Sequence, residues 1–387
     1  MGDVGDFPDL KNDLIIRAAW GQLTEKVPVW IMRQAGRYLP EFQEFRKKHS
    51  FFEICRSPSF ACEVTLQPLR RFDLDAAIIF SDILVIPQAL GMEVEMRPGV
   101  GPVLPDPLRE PNDLTKLTYP CDVQVQLGYV FEAITLTRRT LNGKVPLIGF
   151  AGAPWTLMGY MVEGGGSKTM SLSKGWLYKW PEDSHKLLKI LTDVIVEYLV
   201  GQIKAGAQLL QIFESNAEYL GPKQFSVFAL PYLKEIKLRV NQIAEEQKLP
   251  KIPMILFAKG SCSVLSAIAS AGYEVISVDW TIKPETARKT VSSSTSLQGN
   301  LDPCALKANP AEIENMVEEM VQNFGTQKYI ANLGHGIYPD MSPDSVAIFV
   351  KSIPDKWSNG DLPISFLVKC LSLSLILYCV GREFLFV

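Results

Sequence analysis

Short apolar runs alternate with stretches of helical period along most of this chain, and that alternation constrains the fold more than any other feature. The strand-like runs are PVWIMR (28–33), AAIIF (76–80), VPLIGFAGA (145–153), QLLQIFES (208–215), PMILFAK (253–259), EVISVDW (274–280), TSLQGN (295–300) and KYIANLGHG (328–336). Amphipathic segments at 183–205, 223–246, 310–324 and 342–352 follow several of them. A strand apolar on both faces needs cover on both faces, which parallel sheets obtain from the helices of βα units. Eight such units without a compositional break predict an α/β chain forming a single (β/α)8 barrel of the TIM type rather than a doubly wound open sheet. The barrel is expected over 13–355, between an N-terminal tail, 1–12, and an atypical hydrophobic tail, 356–387. The Pro- and Gly-rich segment 91–111 reads as a hairpin inserted beside the second strand, placed to form one wall of a cleft.

A chain of 387 residues with 47% hydrophobic content can bury a sizeable core, and its formal net charge of -3 argues against a nucleic-acid-coating surface. Its seven cysteines include no CxxC pair, so they read as the reduced thiols of a cytosolic protein. The acidic N-terminus has neither a signal-peptide core nor an organellar address, and Met1-Gly2 makes a poor myristoylation match. A cytoplasmic protein is expected.

In such a barrel the reactive groups stand at the C-terminal ends of the strands. Arg33 and Arg37 follow the first, Ser81 and Asp82 the second, and the turn after the third leads to Tyr160. Glu214 and Ser215 close the fourth, Lys259 the fifth, Asp279 the sixth, Asn300 and Asp302 the seventh, and His335 the eighth. That set predicts one pocket at one rim. Arg33 and Arg37, with Arg46, Lys47 and Lys48 nearby, form a basic cluster whose rigid donor forks suit a polyanionic ligand rich in carboxylates. Two plainer readings stand beside it: the arginines pair with surface acids such as Glu41 and Glu44, and Asp82, Ser215 and Asp302 cap the helices that follow.

The stretches PVWIMRQAGRYLPEF, IIFSDILVIPQALGM, GFAGAPWTLMGYMVEGGG, LQGNLDP and YIANLGHGIYPD resemble the uroporphyrinogen decarboxylase family, from about Phe7 to about Val350. The resemblance implies a (β/α)8 homodimer with one deep cleft per subunit, no metal and no organic cofactor. It implies an enzyme that removes carbon dioxide from the four acetate side chains of uroporphyrinogen to give coproporphyrinogen. By the same resemblance Asp82 binds the pyrrole NH groups and favours a developing cation, and Arg33 and Arg37 hold substrate carboxylates. Arg33 matches a proposed proton donor as well, although a guanidinium that titrates above ~12 is better suited to orientation than to acid catalysis. Ala35 matches a backbone contact, Arg46 reaches a peripheral carboxylate, and Tyr160, Ser215 and His335 line the cleft. Phe150 and Phe213 read either as packing on the macrocycle or as core. Gly164 to Gly166 resemble a lid rather than a phosphate loop. The other two histidines, His49 and His185, lie in polar helix-like stretches and are expected to be solvated.

Two rivals remain: a corrinoid- or folate-linked methyltransferase sharing the barrel, which would need a zinc site of His and Cys, and a non-catalytic tetrapyrrole carrier. Asn216 departs from the family, whose members often carry histidine there. The end of the chain departs further. Residues 362–380 span 19 residues with a single charge, Lys369, and three readings compete for them: a tail anchor contacting a membrane, a segment packed on the barrel, and an appended misassigned reading frame. Because every candidate strand and site residue precedes this tail, deleting 357–387 is expected to leave turnover and oligomeric state unchanged and to raise solubility. Comparing the truncated and full chains by activity, light scattering and membrane sedimentation checks this, and loss of activity would place the tail within the functional unit.

Overall fold

In the computed structural model the described residues are 7–354 apart from Pro98. Nine strands form, in chain order: β1 Ala77–Ile78, β2 Glu95–Arg97, β3 Gly101–Val103, β4 Leu147–Gly152, β5 Leu209–Glu214, β6 Met254–Ala258, β7 Val275–Ser277, β8 Ser296–Leu301 and β9 Tyr329–Leu333. Seven of them make one all-parallel sheet in the order β1-β4-β5-β6-β7-β8-β9, and β2 and β3 pair antiparallel as a separate hairpin. Each sheet strand lies beside its predecessor, the outcome of successive βα crossovers of constant hand. Every residue of β4, β6, β8 and β9 is buried, as near-continuous apolar runs require. The alternation read from the sequence therefore produces the α/β parallel architecture, and the hairpin falls within 91–111.

Three of the four expected helices form almost as bounded, at Pro181–Lys204, Pro310–Phe324 and Pro343–Lys351. The fourth is interrupted. Residues 223–246 split into Pro222–Phe228 and Leu230–Glu246 at Ala229, whose φ of -124° and ψ of -58° leave the helical region. Pro231 explains the break: it lacks the N–H that a continuous helix would use, a loss that is harmless only in a first turn.

The first expected strand is the main correction. Residues 28–33 do not form a ladder; one isolated parallel bridge joins Val29 to Ala331. Side chains replace main-chain partners there. Asp75 Oδ2 accepts from Val29 N at 2.9 Å, Gln34 Oε1 from Ile31 N at 3.2 Å, and Asn332 Oδ1 from Met32 N at 2.9 Å. Arg33 then takes a left-handed φ of 65°, which ends any extended run. Even so, the segment hydrogen-bonds toward both ends of the sheet: Val29 O accepts from Asp75 N at 2.8 Å, just before β1, and Trp30 N donates to Ala331 O of β9 at 3.4 Å. The indole Nε1 of Trp30 donates to Gln298 Oε1 at 2.9 Å, and Gln298 continues to Gln211 Oε1 at 3.2 Å and Ser277 Oγ at 3.0 Å. Side chains from β5, β7 and β8 thus meet that of Trp30 in one buried polar network.

Asp75 is only 2% exposed and also takes Asn12 Nδ2 at 2.8 Å, with Lys26 Nζ at 3.4 Å. Asp75→Ala would leave the buried Val29 N–H unpaired and strip Lys26 of its partner, a loss expected at about 2–4 kcal/mol. Urea unfolding checks it; a change under about 1 kcal/mol would mean that the segment is held by packing alone.

Candidate active site

One cavity of about 860 Å³ opens beside the C-terminal ends of the strands, and its wall includes Arg33, Ala35, Arg37, Arg46, Asp82, Tyr160, Ser215 and His335. The eight residues that the family resemblance singles out are brought together. Around them lie Phe51, Phe80, Phe150, Phe213 and Phe257. Phe150 and Phe213 meet edge to face at 5.6 Å, as do Phe213 and Phe257 at 6.0 Å, so one part of the wall is a packed aromatic cluster. Phe150 and Phe213 pack on neighbouring rings, as the core reading expects, and also line the cavity.

The charge pattern is lopsided. Asp82 is the one acidic residue on this wall, against four arginines, Arg33, Arg37, Arg46 and Arg97. The plainer reading of the basic cluster fails on partners. Glu41 is taken by Arg71 at 2.9 Å, Glu44 by Lys47 at 2.5 Å and Glu53 by His49 at 3.1 Å. Among the described residues Arg33, Arg37 and Arg46 form no ion pair; Arg46 instead donates to the carbonyl of His49 at 2.5 Å.

Arg33 reaches the cavity across Gly336, where even a Cβ would come within 2.3 Å of the arginine Cδ. Only glycine leaves that path open. Desolvation lowers the pKa of the Arg33 guanidinium from its ordinary value; nearby Arg37 adds to the lowering, while Tyr160, Tyr338 and Asp82 oppose it. Burial, helped by the positive charge of Arg33, lowers His335 to about 4, so its ring is neutral at physiological pH; Phe257, Tyr338 and Trp280 surround it at 6.2–6.3 Å between ring centres. Burial and the charge of Asp82 raise the Tyr160 phenol, which stands on the helix Pro154–Glu163.

Asp82 follows the apolar run that contains β1, and among the described residues its Oδ2 is buried without a partner. Burial pushes its carboxyl up to about 6, against the opposing pull of the Leu84 and Ile83 N–H groups and of Arg33. A buried carboxylate with one oxygen unmatched is poised for a donor or a cation that is not part of the chain.

Other strand-end residues turn away from the cavity. Asn300 Nδ2 binds the carbonyls of Asp279 and Ile282 at 2.8 and 2.7 Å, and Asp302 caps the turn at Cys304 N. Asp279 accepts from Gly260 N and from Thr281, and Lys259 pairs with Glu218 at 2.6 Å. Glu214 lies on the opposite side of its strand from Phe213 and Ser215, as alternation demands, and accepts from Thr156 Oγ1 at 2.5 Å. Burial raises Glu214 to about 7. For Asp302 the capping alternative was right.

Gly164 is the left-handed C-cap of the Tyr160 helix at φ 84°, and Gly165 bridges Val103 of the hairpin. This glycine run therefore joins the hairpin to the helix. Asn216 does not line the cavity; its carbonyl accepts from Trp155 Nε1 at 2.9 Å. His49 and His185, expected to be solvated, are half-buried: His49 packs against Phe60 at 4.2 Å, and His185 stacks on Phe228 at 4.7 Å. The sequence reading missed Arg97, which sits in the predicted hairpin; its basic type within a proposed cleft wall was the available signal. Cys55, Cys62, Cys121, Cys262 and Cys304 are free thiols, while Cys370, Cys379 and the tail 356–387 lie outside the described residues. Among the described residues no helix is long and apolar enough to cross a membrane.

Because the folded-state pKa of Asp82 is raised, its contribution to stability is full below the ordinary carboxyl pKa and is lost as pH rises through about 6. Asp82→Asn is therefore expected to gain stability relative to the native chain between pH 4.5 and 7.5, on the order of 2 kcal/mol. Urea unfolding at both pH values measures the difference; no gain would mean that the carboxylate is satisfied within the fold.

Residues 10–355 match the family model described as Uroporphyrinogen decarboxylase (URO-D). The chain is 62% identical over 347 residues to the uroporphyrinogen decarboxylase of Ovis aries, spanning 90% of this chain and 95% of that one. It is 60% identical over 347 residues to that of Homo sapiens, with the same coverage. Among solved structures, a methyltransferase from Methanosarcina mazei superposes with a TM-score of 0.75 at 21% identity, covering 90% of this chain and 98% of that one. That likeness speaks to the fold alone.

Proposed function

Since the chain belongs to the uroporphyrinogen decarboxylase family, we propose that it removes the four acetate carboxyl groups of uroporphyrinogen as carbon dioxide to give coproporphyrinogen, in porphyrin biosynthesis. The observation that carries this reading is the cavity's charge pattern: among the described residues Asp82 stands with four arginines, of which Arg33, Arg37 and Arg46 form no ion pair. Uroporphyrinogen has the complementary pattern, four NH donors at its centre and eight carboxylates around its edge. Asp82 then faces the NH groups, Arg33, Arg37 and Arg46 take carboxylates, and Ala35 contributes a backbone contact. Tyr160, Ser215 and the neutral His335 supply uncharged hydrogen-bonding groups, and the phenylalanine rings cover the macrocycle.

An acetate on a pyrrole loses carbon dioxide only if the electron pair left behind is delocalised. A proton added to the ring carbon makes an iminium; the bond to the carboxylate breaks, its electrons neutralise that cation, a second proton converts the resulting methylene to methyl, and the ring carbon gives up the first proton to restore the neutral pyrrole. The substrate is its own electron sink. Asp82 stabilises the cation because its charge is held ready in a poorly hydrated cavity, without water to reorganise. Arg33 orients the reacting carboxylate. The lowered pKa of its guanidinium moves it toward acid strength, yet a bound water or a propionate of the substrate is the easier proton relay.

The hydrogen bonds of residues 28–30 toward β1 and β9, and the network around Gln298, support closure of the sheet into a (β/α)8 barrel spanning 13–355. A cytosolic homodimer completes the reading. Anaerobic incubation of the purified protein with uroporphyrinogen, followed by chromatography of the seven- to four-carboxylate products, tests the activity. Asp82→Asn is expected to retain binding while turnover falls ~10²-fold or more, whereas turnover within about threefold of the native chain would remove Asp82 from the chemistry.

A further inference from the structure

Arg97 is the last residue of β2 and reaches the same cavity as Arg33, Arg37 and Arg46. Its present partner is weak. Both Nε and Nη2 point at one oxygen of Glu95, each at 2.8 Å, so the guanidinium fork is not matched to two oxygens, and the side chains are 51% and 41% exposed. Such a pair contributes little to stability and is easily exchanged. The hairpin itself is held firmly beside the site: Val103 bridges Gly165, and Leu104 N donates to Gly164 O at 2.9 Å, at the end of the helix that carries Tyr160. Position and charge are thus both supplied, while the ion pair is expendable.

We propose that Arg97 is a specificity residue that leaves Glu95 to bind a peripheral carboxylate of the tetrapyrrole, with Glu95 acting as a competitor for it. This rests on the decarboxylase reading and extends it to a residue at the mouth of the cavity. Because Arg97 stands at the edge of the ligand rather than at the reacting carbon, its effect belongs in KM and in discrimination among carboxylates, with kcat nearly unchanged.

The two partners separate binding from structure. Arg97→Ala and Glu95→Gln both abolish the ion pair, so a structural role moves activity the same way in each. The proposal requires opposite signs. Arg97→Ala should lower kcat/KM for uroporphyrinogen about fivefold to tenfold through KM, and Glu95→Gln should raise it about twofold. Fluorescence titration with uroporphyrin, the oxidised octacarboxylate, should follow the same order and reads the contact without turnover. If the native chain binds uroporphyrin but does not decarboxylate uroporphyrinogen, the functional reading fails while the titration still decides the role of Arg97. Activity with binding unchanged in Arg97→Ala, or lowered equally in both variants, overturns the proposal.

Discussion

The Asp75 carboxylate fixes the segment on which the first cavity residues are built. It replaces the ladder partner that Val29 lacks, and in doing so it fastens residues 28–32 against the run that leads into β1. Asn332 and Ala331 hold the same residues from the β9 side. Arg33, Ala35 and Arg37 follow immediately on this tethered segment, so the positions of three cavity residues depend on hydrogen bonds made before the cavity begins. The left-handed turn at Arg33 and the missing side chain at Gly336 then let one side chain pass to the cavity wall.

The cavity is an electrostatic compromise. An ionised carboxylate surrounded by apolar rings is costly, and the upward shift of Asp82 records that cost. Among the described residues Arg33, Arg37 and Arg46 have no acidic partner, since Glu41 and Glu44 are engaged elsewhere, and they record a second. Both are relieved by a ligand with donors at its centre and anions at its rim. Function and stability therefore pull in opposite directions at Asp82, a common condition of binding sites that are charged before the ligand arrives.

Glu214 and Arg97 illustrate how neighbouring positions acquire different tasks. Strand alternation sends Phe213 and Ser215 into the cavity and Glu214 toward Thr156, which ties β5 to the helix bearing Tyr160. Arg97 lies on a hairpin outside the main sheet, joined to that same helix through Gly164 and Gly165. Two polar connections of quite different burial thus converge on the element that presents Tyr160.

What the sequence by itself determined is the class of fold and a set of candidate site residues. Apolar runs such as 147–152 cannot be solvated on either face and must become interior strands, and polar residues at their ends must gather at one rim. Arg33, Asp82, Tyr160, Ser215 and His335 were legible for that reason. Tertiary structure alone decided which strand ends face inward: Asp279, Asn300 and Asp302 stand at similar positions but are consumed by hydrogen bonds within the fold, those of Asn300 and the Gly260 bond of Asp279 reaching 18–21 residues along the chain. It also decided that residues 28–33 are bonded through Asp75, Gln34 and Asn332 instead of a ladder. It assigned Glu41 to Arg71 and left Arg37 unpaired. These outcomes depend on distances between residues far apart in the chain, and no local pattern of apolar and polar residues encodes them.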